Sequence, residues 1–209
     1  FAPASRYVKR VVEAGLLGRP TLGSVANKWW RAQEYYDNGK WRGTWEIDGG
    51  GALMNQGIHA VDLLLWTMGP AVEVCARAAT LCHDGIEVED TLVSTIQFEN
   101  GALGVIEAGT SAYPGLPRRL ELAGSRGTVV MEAGRIIRHD FTDPIDAVGE
   151  PPAIADDNRR TGGAHNPADI HHLAHRLQLE DMIDAIETDR APLIDGREAR
   201  RPVELIHAI

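Results

Sequence analysis

The chain has 209 residues, 44% of them hydrophobic and 24% charged, which is enough to bury a core in one domain or a pair of small ones. A formal net charge of −9 repels a phosphate backbone and the basic residues are scattered, so neither nucleic acid nor an anionic membrane surface is an expected partner. No apolar run approaches the roughly 20 residues of a membrane span, and FAPASRYVKR lacks the apolar middle of a secretory signal, so cytoplasmic residence is expected.

The sequence opens at Phe1 without a methionine and falls at once into a helical pattern, as a fragment with a missing upstream part would. From Ser5 to Leu17 the spacing of Val8, Val11, Val12 and Leu16 predicts a helix, stopped by Gly18 with Pro20 beyond it. Thr21 to Trp30 has the β-branched and aromatic content of a strand. RAQEYYDNGKWRGTWEIDGGG, which follows, is crowded with aromatics, Gly and Asp and reads as an irregular loop. Gly51 to Met68 reads as a helix. From Ala71 the periodicity drops to two, and Asn100-Gly101 between two β-like runs marks a hairpin. Further turns near Gly124 to Gly127 and at Ala133-Gly134 complete a meander of about five strands besides the early one. Cys75 and Cys82 fall on one such strand, about 23 Å apart at ~3.3 Å per residue, too far for a disulfide, and are expected to pack in the sheet.

Residues 142–168 lose all periodicity, which suits a mobile or lid-like loop. DIHHLAHRLQLEDMIDAIETD then reads as an amphipathic helix offering Leu173, Leu177, Met182, Ile183 and Ile186 to the core, and GREARRPVELIHAI starts another. Helices at both ends of a strand-rich middle predict an α+β fold: a single domain over residues 1–209, a largely antiparallel open sheet with helices on one face.

The stretch GGGALMNQGIHAVDLLLW carries the chemistry. On a helix, Asn55, His59, Asp62 and Trp66 recur four, three and four apart and form one polar stripe on an otherwise apolar rod. Buried amide, imidazole and carboxylate groups need partners or a cavity, since an unsatisfied one costs about 1–3 kcal/mol. Two readings follow: a satisfied core network, or Asn55 and His59 facing a pocket at the helix N-terminus, where free N–H groups and the positive dipole end suit oxygen-rich or anionic ligands. Gly49, Gly50 and Gly51 favour the second, because three glycines in a row suit a sharp turn or the close approach of a ligand or another domain.

These residues resemble the signature segment in the C-terminal domain of the glucose-fructose oxidoreductase, inositol dehydrogenase and MocA family, NAD(P)-dependent dehydrogenases of sugars, cyclitols and nucleotide sugars. FAPASRYVKRVVEAGLLGRP is similar to that family's first helix after its cofactor domain, GSRGTVVMEAGRI to a late hairpin and DGREARRPVELIHAI to its closing helix. The Gly-rich dinucleotide turn and the Glu-Lys-Pro motif of the family do not occur here. The resemblance therefore implies the substrate-binding and oligomerisation half of such an enzyme, with the Rossmann domain absent from this chain and NAD or NADP bound mainly by that missing domain. Gly49, Gly50 and Gly51 would only approach the cofactor.

By the same resemblance His59 is the catalytic base candidate, because oxidising a carbinol needs a group that takes the hydroxyl proton. Asn55 stands where many members carry Asp; an amide cannot take a proton but can hold the hydroxyl. The resemblance also implies a homo-oligomer through the open sheet face. In the aromatic loop Lys28, Arg31, Tyr36, Trp41, Arg42 and Trp45 combine flat apolar faces with cations, which suits a sugar or polyol bearing a carboxylate or phosphate. A loop that merely caps the sheet edge fits the same residues, and similarity in KWWRAQEYYDNGKWRGTW favours Lys28, Arg31 and Trp41 as site residues. His165, near Arg159 and Arg160, is a candidate to close over substrate. His171 and His175 are four apart, but no third ligand is evident, so no metal is expected. A sugar-binding or assembly module without a cofactor domain is the competing reading.

Overall fold

The computed structural model describes residues 1–39, 41–152 and 173–209, with side chains in the last stretch described from His175 onward. Helix α1 (Pro3–Glu13) starts with proline in its first turn, where the missing N–H costs nothing, and buries Tyr7, Val8 and Val11. It ends earlier than the periodicity predicts, because the chain turns at Gly15 with φ +70° and sends Leu16 and Leu17 into the core from a turn. Strand β1 (Pro20–Lys28) follows. The aromatic loop contains one short helix, α2 (Gln33–Asp37), and otherwise turns.

The glycine stretch leads into a π-helical turn (Leu53–Gly57) continuous with helix α3 (Ile58–Met68). Six strands come next, one more than the turn signals predict: β2 (Ala71–Ala79), β3 (Thr91–Phe98), β4 (Leu103–Gly109), β5 (Arg119–Gly124), β6 (Gly127–Glu132) and β7 (Arg135–Phe141). Helices α4 (Leu173–Glu187) and α5 (Gly196–Ala208) complete the described chain, α5 capped by the Asp195 carboxylate accepting from Arg197 N and Glu198 N.

The seven strands form one α+β sheet in the order β2-β3-β4-β1-β5-β6-β7. All neighbours are antiparallel except β1 and β4, which run parallel with Val25 beside Ile106. Such a parallel pair requires a long crossover, and the chain from residue 29 to 102 supplies it. The helix therefore returns across the middle of the sheet. A Cβ at Gly23 of β1 would meet Met68 Cγ at 2.8 Å and Leu64 Cδ1 at 3.1 Å, so α3 lies directly on the central strand.

Tyr7, Val8 and Val11 of α1 and Val61, Leu64 and Met68 of α3 share one core with Val25, Ile96, Ile106, Leu120, Leu122 and Val129 of the sheet. Alternation along the strands puts Leu22, Val93 and Leu103 on the other side, where they are exposed.

Two expectations are corrected. On α4 only Ala185 is buried, while Met182, Ile183 and Ile186 are exposed and Leu177 is half-buried: the stripe has helical period, but no described element covers it. Cys75 and Cys82 are exposed thiols, since Cys75 is on the outer side of edge strand β2 and Cys82 lies past its end. Within the predicted loop at 142–168, Ile145 and Val148 pack on the core; residues 153–168, with His165 and the Arg159–Arg160 pair, lie outside the described residues, as does His171. No helix among the described residues is long and apolar enough to cross a membrane.

Candidate functional site

The glycine triplet is occupied from within the chain. Glu89, two residues before β3, accepts from Gly51 N (3.1 Å, Oε2) and Leu53 N (2.9 Å, Oε1), and its carbonyl accepts from Ala52 N (2.9 Å). Free donors at the start of the helix are thus met by a carboxylate of the protein, which also sits at the positive end of the helix dipole. A Cβ at Gly51 would fall inside Glu89, with Cδ only 2.6 Å away. The predicted anion site at this helix N-terminus is therefore already filled, and the close approach that Gly51 permits is made by Glu89. Gly49 adopts φ +75°, the left-handed region, with nothing near its missing Cβ.

The polar stripe is not a buried network. Asn55 is half-buried and its Nδ2 donates to Asp48 Oδ1 at 2.7 Å; Asp48 Oδ2 in turn accepts from Gly43 N at 2.9 Å. This closes the turn at 43–48 against the π-helical segment and leaves Asn55 Oδ1 free to accept among the described residues. One turn on, the His59 ring has an exposed edge, and no described group hydrogen-bonds to it. The protein crowding its inner side holds the imidazole pKa below its ordinary value, and the positive charges of Arg118 and then His175 push the same way. The lowered value favours the neutral form of His59 at physiological pH. Asp62 and Trp66 diverge from it: Asp62 borders a cleft with Leu193, Ile194 and Glu198, where burial first and the Glu198 charge second raise its pKa. Lys9 donates to the Trp66 carbonyl at 2.8 Å.

Arg118 was not singled out from the sequence. It immediately precedes β5, and in the alternation Arg118, Leu120, Leu122 it takes the core-facing side. Because Ala26 pairs with Arg119, Asn27 of β1 comes opposite Arg118 at the end of that ladder. The signal was available: an arginine in the apolar register of a strand is the exception that calls for a reason.

The loop residues divide into three groups. Lys28 alternates with Asn27, points to the outer sheet side and pairs with Glu107 at 3.1 Å, so the structure does not bring it to His59. Arg31 and Tyr36 are buried: Arg31 Nη1 donates to the Trp30 carbonyl at 2.7 Å and its guanidinium stacks on Trp29 and Tyr35. Tyr36 bonds Thr110 Oγ1 at 2.8 Å, and burial above all pushes its phenol up to about 12. Trp41 and Trp45 are exposed, with Arg42 lying over the rings of Tyr35 and Trp41.

Two further residues that sequence reasoning missed hold this loop in place. His83 and Asp90 are buried together, Nδ1 to Oδ2 at 3.0 Å, and His83 Nε2 lies 2.9 Å from the Arg31 carbonyl. Asp90 also accepts from the backbone N–H groups of Leu81, Cys82 and His83. Burial alone would raise its pKa; those three donors outweigh it and hold the carboxylate below the usual range. Gln56 Nε2 donates to the Tyr35 hydroxyl at 3.2 Å and joins the loop to the π turn.

No described strand passes through a glycine turn into a helix N-terminus left open for a pyrophosphate, and the one helix start with glycines is closed by Glu89. The residues described here do not form a cradle for a dinucleotide. Nor do three His, Cys, Asp or Glu side chains converge among them.

Residues 5–130 match the family described as the GFO/IDH/MocA C-terminal domain. The structure is similar to that of the WlbA dehydrogenase from Bordetella pertussis in complex with NADH and UDP-GlcNAcA, at 35% identity and a TM-score of 0.79, covering 98% of this chain and 56% of that one. Among curated proteins, an uncharacterized oxidoreductase YrbE of Bacillus subtilis is 30% identical over 139 residues, 65% of this chain and 38% of that protein. A myo-inositol 2-dehydrogenase of Thermotoga maritima is 36% identical over 84 residues, 38% of this chain and 25% of that protein. The chain thus spans about half the length or less of the relatives it matches.

Proposed function

Because the chain belongs to the GFO/IDH/MocA family, we propose that it is the substrate-binding part of an NAD(P)-dependent oxidoreductase that oxidises a hydroxyl group of a sugar, cyclitol or nucleotide sugar. The observation that carries this reading is His59: an unbonded imidazole with an open edge, its neutral form favoured by its surroundings, on the first turn of α3. Oxidising a carbinol removes a proton from oxygen and a hydride from carbon. His59 takes the proton at a ring nitrogen, a role its neutral form can fill without first losing one. The hydride acceptor would be NAD or NADP.

Asn55 supports the same site. Its amide nitrogen is committed to Asp48, so Oδ1 is fixed as an acceptor for a substrate hydroxyl one turn from His59. Trp41 and Trp45 supply exposed flat faces for a sugar ring, whereas Arg31 and Tyr36 act by holding the loop that carries them. The outer sheet side with Leu22, Val93 and Leu103 is the surface for a homo-oligomer.

Turnover of myo-inositol and of UDP-GlcNAcA with NAD⁺ by the full-length protein tests the role of His59. His59→Asn is expected to lower kcat about 100-fold or more with little change in KM. Since the histidine pKa is depressed and the neutral form is the active one, the acid limb of kcat/KM should fall below about pH 6.5. Unchanged kcat in the variant overturns the assignment.

A further inference from the structure

We propose that β2 pairs with β2 of a second copy of this chain, antiparallel and in the register centred on Cys75, so that copies packed through the outer sheet side are joined to further copies along this edge; this rests on the outer side being an oligomer surface.

β2 is one of the two edges of the sheet, and no described strand bonds its free side. None of its nine residues is buried, and α5 stays on the core side, with a groove lined by Val74, Arg201, Glu204 and Leu205 between them. A long open edge is a template for another strand, and proteins commonly guard one with charges, prolines or bulges. The other edge, β7, is guarded in this way: it carries Arg135 and Arg138, Arg138 is tied to Asp140, and its ladder shifts register between Val130 and Met131. On β2 the ladder runs unbroken from Glu73 to Ala79, without proline or lysine.

The charges on β2 match each other instead of guarding the edge. Glu73, Cys75 and Arg77 alternate onto the outer side, opposite Gln97, Thr95 and Val93 of β3. Elsewhere on that side charges are paired within the chain, Lys28 with Glu107 at 3.1 Å and Arg119 with Glu121 at 3.0 Å and Glu132 at 3.3 Å. Glu73 and Arg77 are exposed, and neither forms an ion pair among the described residues. They cannot reach each other along one strand, where four steps of ~3.3 Å separate them by about 13 Å.

A two-fold axis perpendicular to the sheet sets opposite each other residues that share a face. Centred on Glu73 or on Arg77, it makes like charges meet; centred on Val74 or Ala76, it leaves both charges facing uncharged residues. Centred on Cys75, it puts Glu73 opposite Arg77 of the second copy and Arg77 opposite that copy's Glu73. Val74 then meets Ala76 on the core side, where both are half-buried, and the apolar layer continues across the junction. Opposite charges directly across a strand pair are favourable and like charges are not, so the sequence of β2 selects this register.

The same axis leaves both outer sides facing one way, which allows face contact and edge contact in a single closed assembly of four chains. A five-residue ladder falls well below the roughly 1,000 Å² of a stable interface and does not hold two free chains together. Copies already joined through the outer side present two such edges at once, so the second pairing is intramolecular.

Sedimentation velocity on the full-length protein at micromolar concentration reads the pairing. The natural protein should run as four chains and Leu103→Glu as single chains. Arg77→Glu sets carboxylates opposite carboxylates at two places in each edge contact, so it should weaken the four-chain state about 10-fold or more and leave two chains. Glu73→Arg/Arg77→Glu restores opposite charges and should restore four chains, which also shows that the strand still folds. Diamide, which takes the hydrogens of two thiols and is itself reduced, should link two chains through Cys75, whose Cα atoms face each other at about 4.5–5.5 Å in such a ladder. Cys75→Ser should abolish that product and Cys82→Ser should not. Four chains in Arg77→Glu, no rescue in the double variant, absence of the Cys75 product, or a natural protein of single chains each overturns the proposal. Two chains that Leu103→Glu separates and Arg77→Glu does not overturn the edge pairing and keep the outer face. Two chains that Arg77→Glu separates and Leu103→Glu does not support the edge pairing and overturn the outer face.

Discussion

Replacing Gly51 by alanine tests whether the glycine triplet serves the fold or a ligand. The new Cβ would overlap the Glu89 backbone oxygen and its carboxylate, with Cδ at 2.6 Å, so the carboxylate must leave. Its departure breaks two charge-assisted hydrogen bonds, to Gly51 N and Leu53 N, and uncaps the π-helical turn. Each such bond is worth about 1.5–3 kcal/mol, and partial hydration of the freed groups returns some of it, so a net loss of about 3 kcal/mol is expected. At Gly49 nothing crowds the site and only the positive φ of +75° penalises alanine, by about 1 kcal/mol. Urea unfolding of Gly51→Ala, Gly49→Ala, Glu89→Ala and the Gly51→Ala/Glu89→Ala pair measures these terms. Both variants at the Gly51–Glu89 contact remove the carboxylate cap, while the overlap with the Glu89 backbone oxygen persists in the double variant, so the double variant should cost less than the sum by about the value of the cap alone. A Gly51→Ala protein within 0.5 kcal/mol, about the scatter for harmless surface changes, would refute the internal cap and return the triplet to an external ligand.

Asp90→Asn should cost about 3–5 kcal/mol, because an amide cannot accept at both of its ends from Leu81, Cys82 and His83 while His83 loses its carboxylate. The folded Asp90 pKa is depressed, so its stabilisation is complete above the unfolded value of about 3.9 and fades as pH falls through the folded one. The gap between natural protein and variant should therefore narrow in denaturant titrations below about pH 4; a gap that widens there contradicts the sign. On the outer sheet side, Leu103→Glu should convert an oligomer to single chains, since Leu103 sits beside Leu22 in the register and both are exposed in one chain. Light scattering that finds the natural protein already a single chain at micromolar concentration rules this surface out.

Much of the architecture could be read from local chemistry. The alternation of apolar residues in β3, the Asn100-Gly101 turn and the periodicity of α1 depend on neighbours in sequence, and the structure places strands and helix there. Where periodicity misled, a distant partner decided: α4 carries an apolar stripe, but burial requires an opposing surface, and the described chain provides none for Met182, Ile183 and Ile186. The candidate site was half legible. Asn55 and His59 stand one turn apart on the helical segment, as their spacing implies, whereas Lys28 was drawn in by residue type and strand alternation carries it to the other side of the sheet.

The sequence by itself determined most of the helical and strand segments, the turns and the spacing of Asn55 one turn before His59, because each depends on residues a few positions apart. Only the tertiary structure decided that Glu89, 38 residues from Gly51, closes the helix start, and that β1 lies between β4 and β5. That central placement sets Asn27 opposite Arg118 at the end of the β1–β5 ladder. The physical reason is that desolvation, charge and hydrogen-bond saturation are set by atoms that folding brings together, and no spacing along the chain records which of those atoms will be left without a partner.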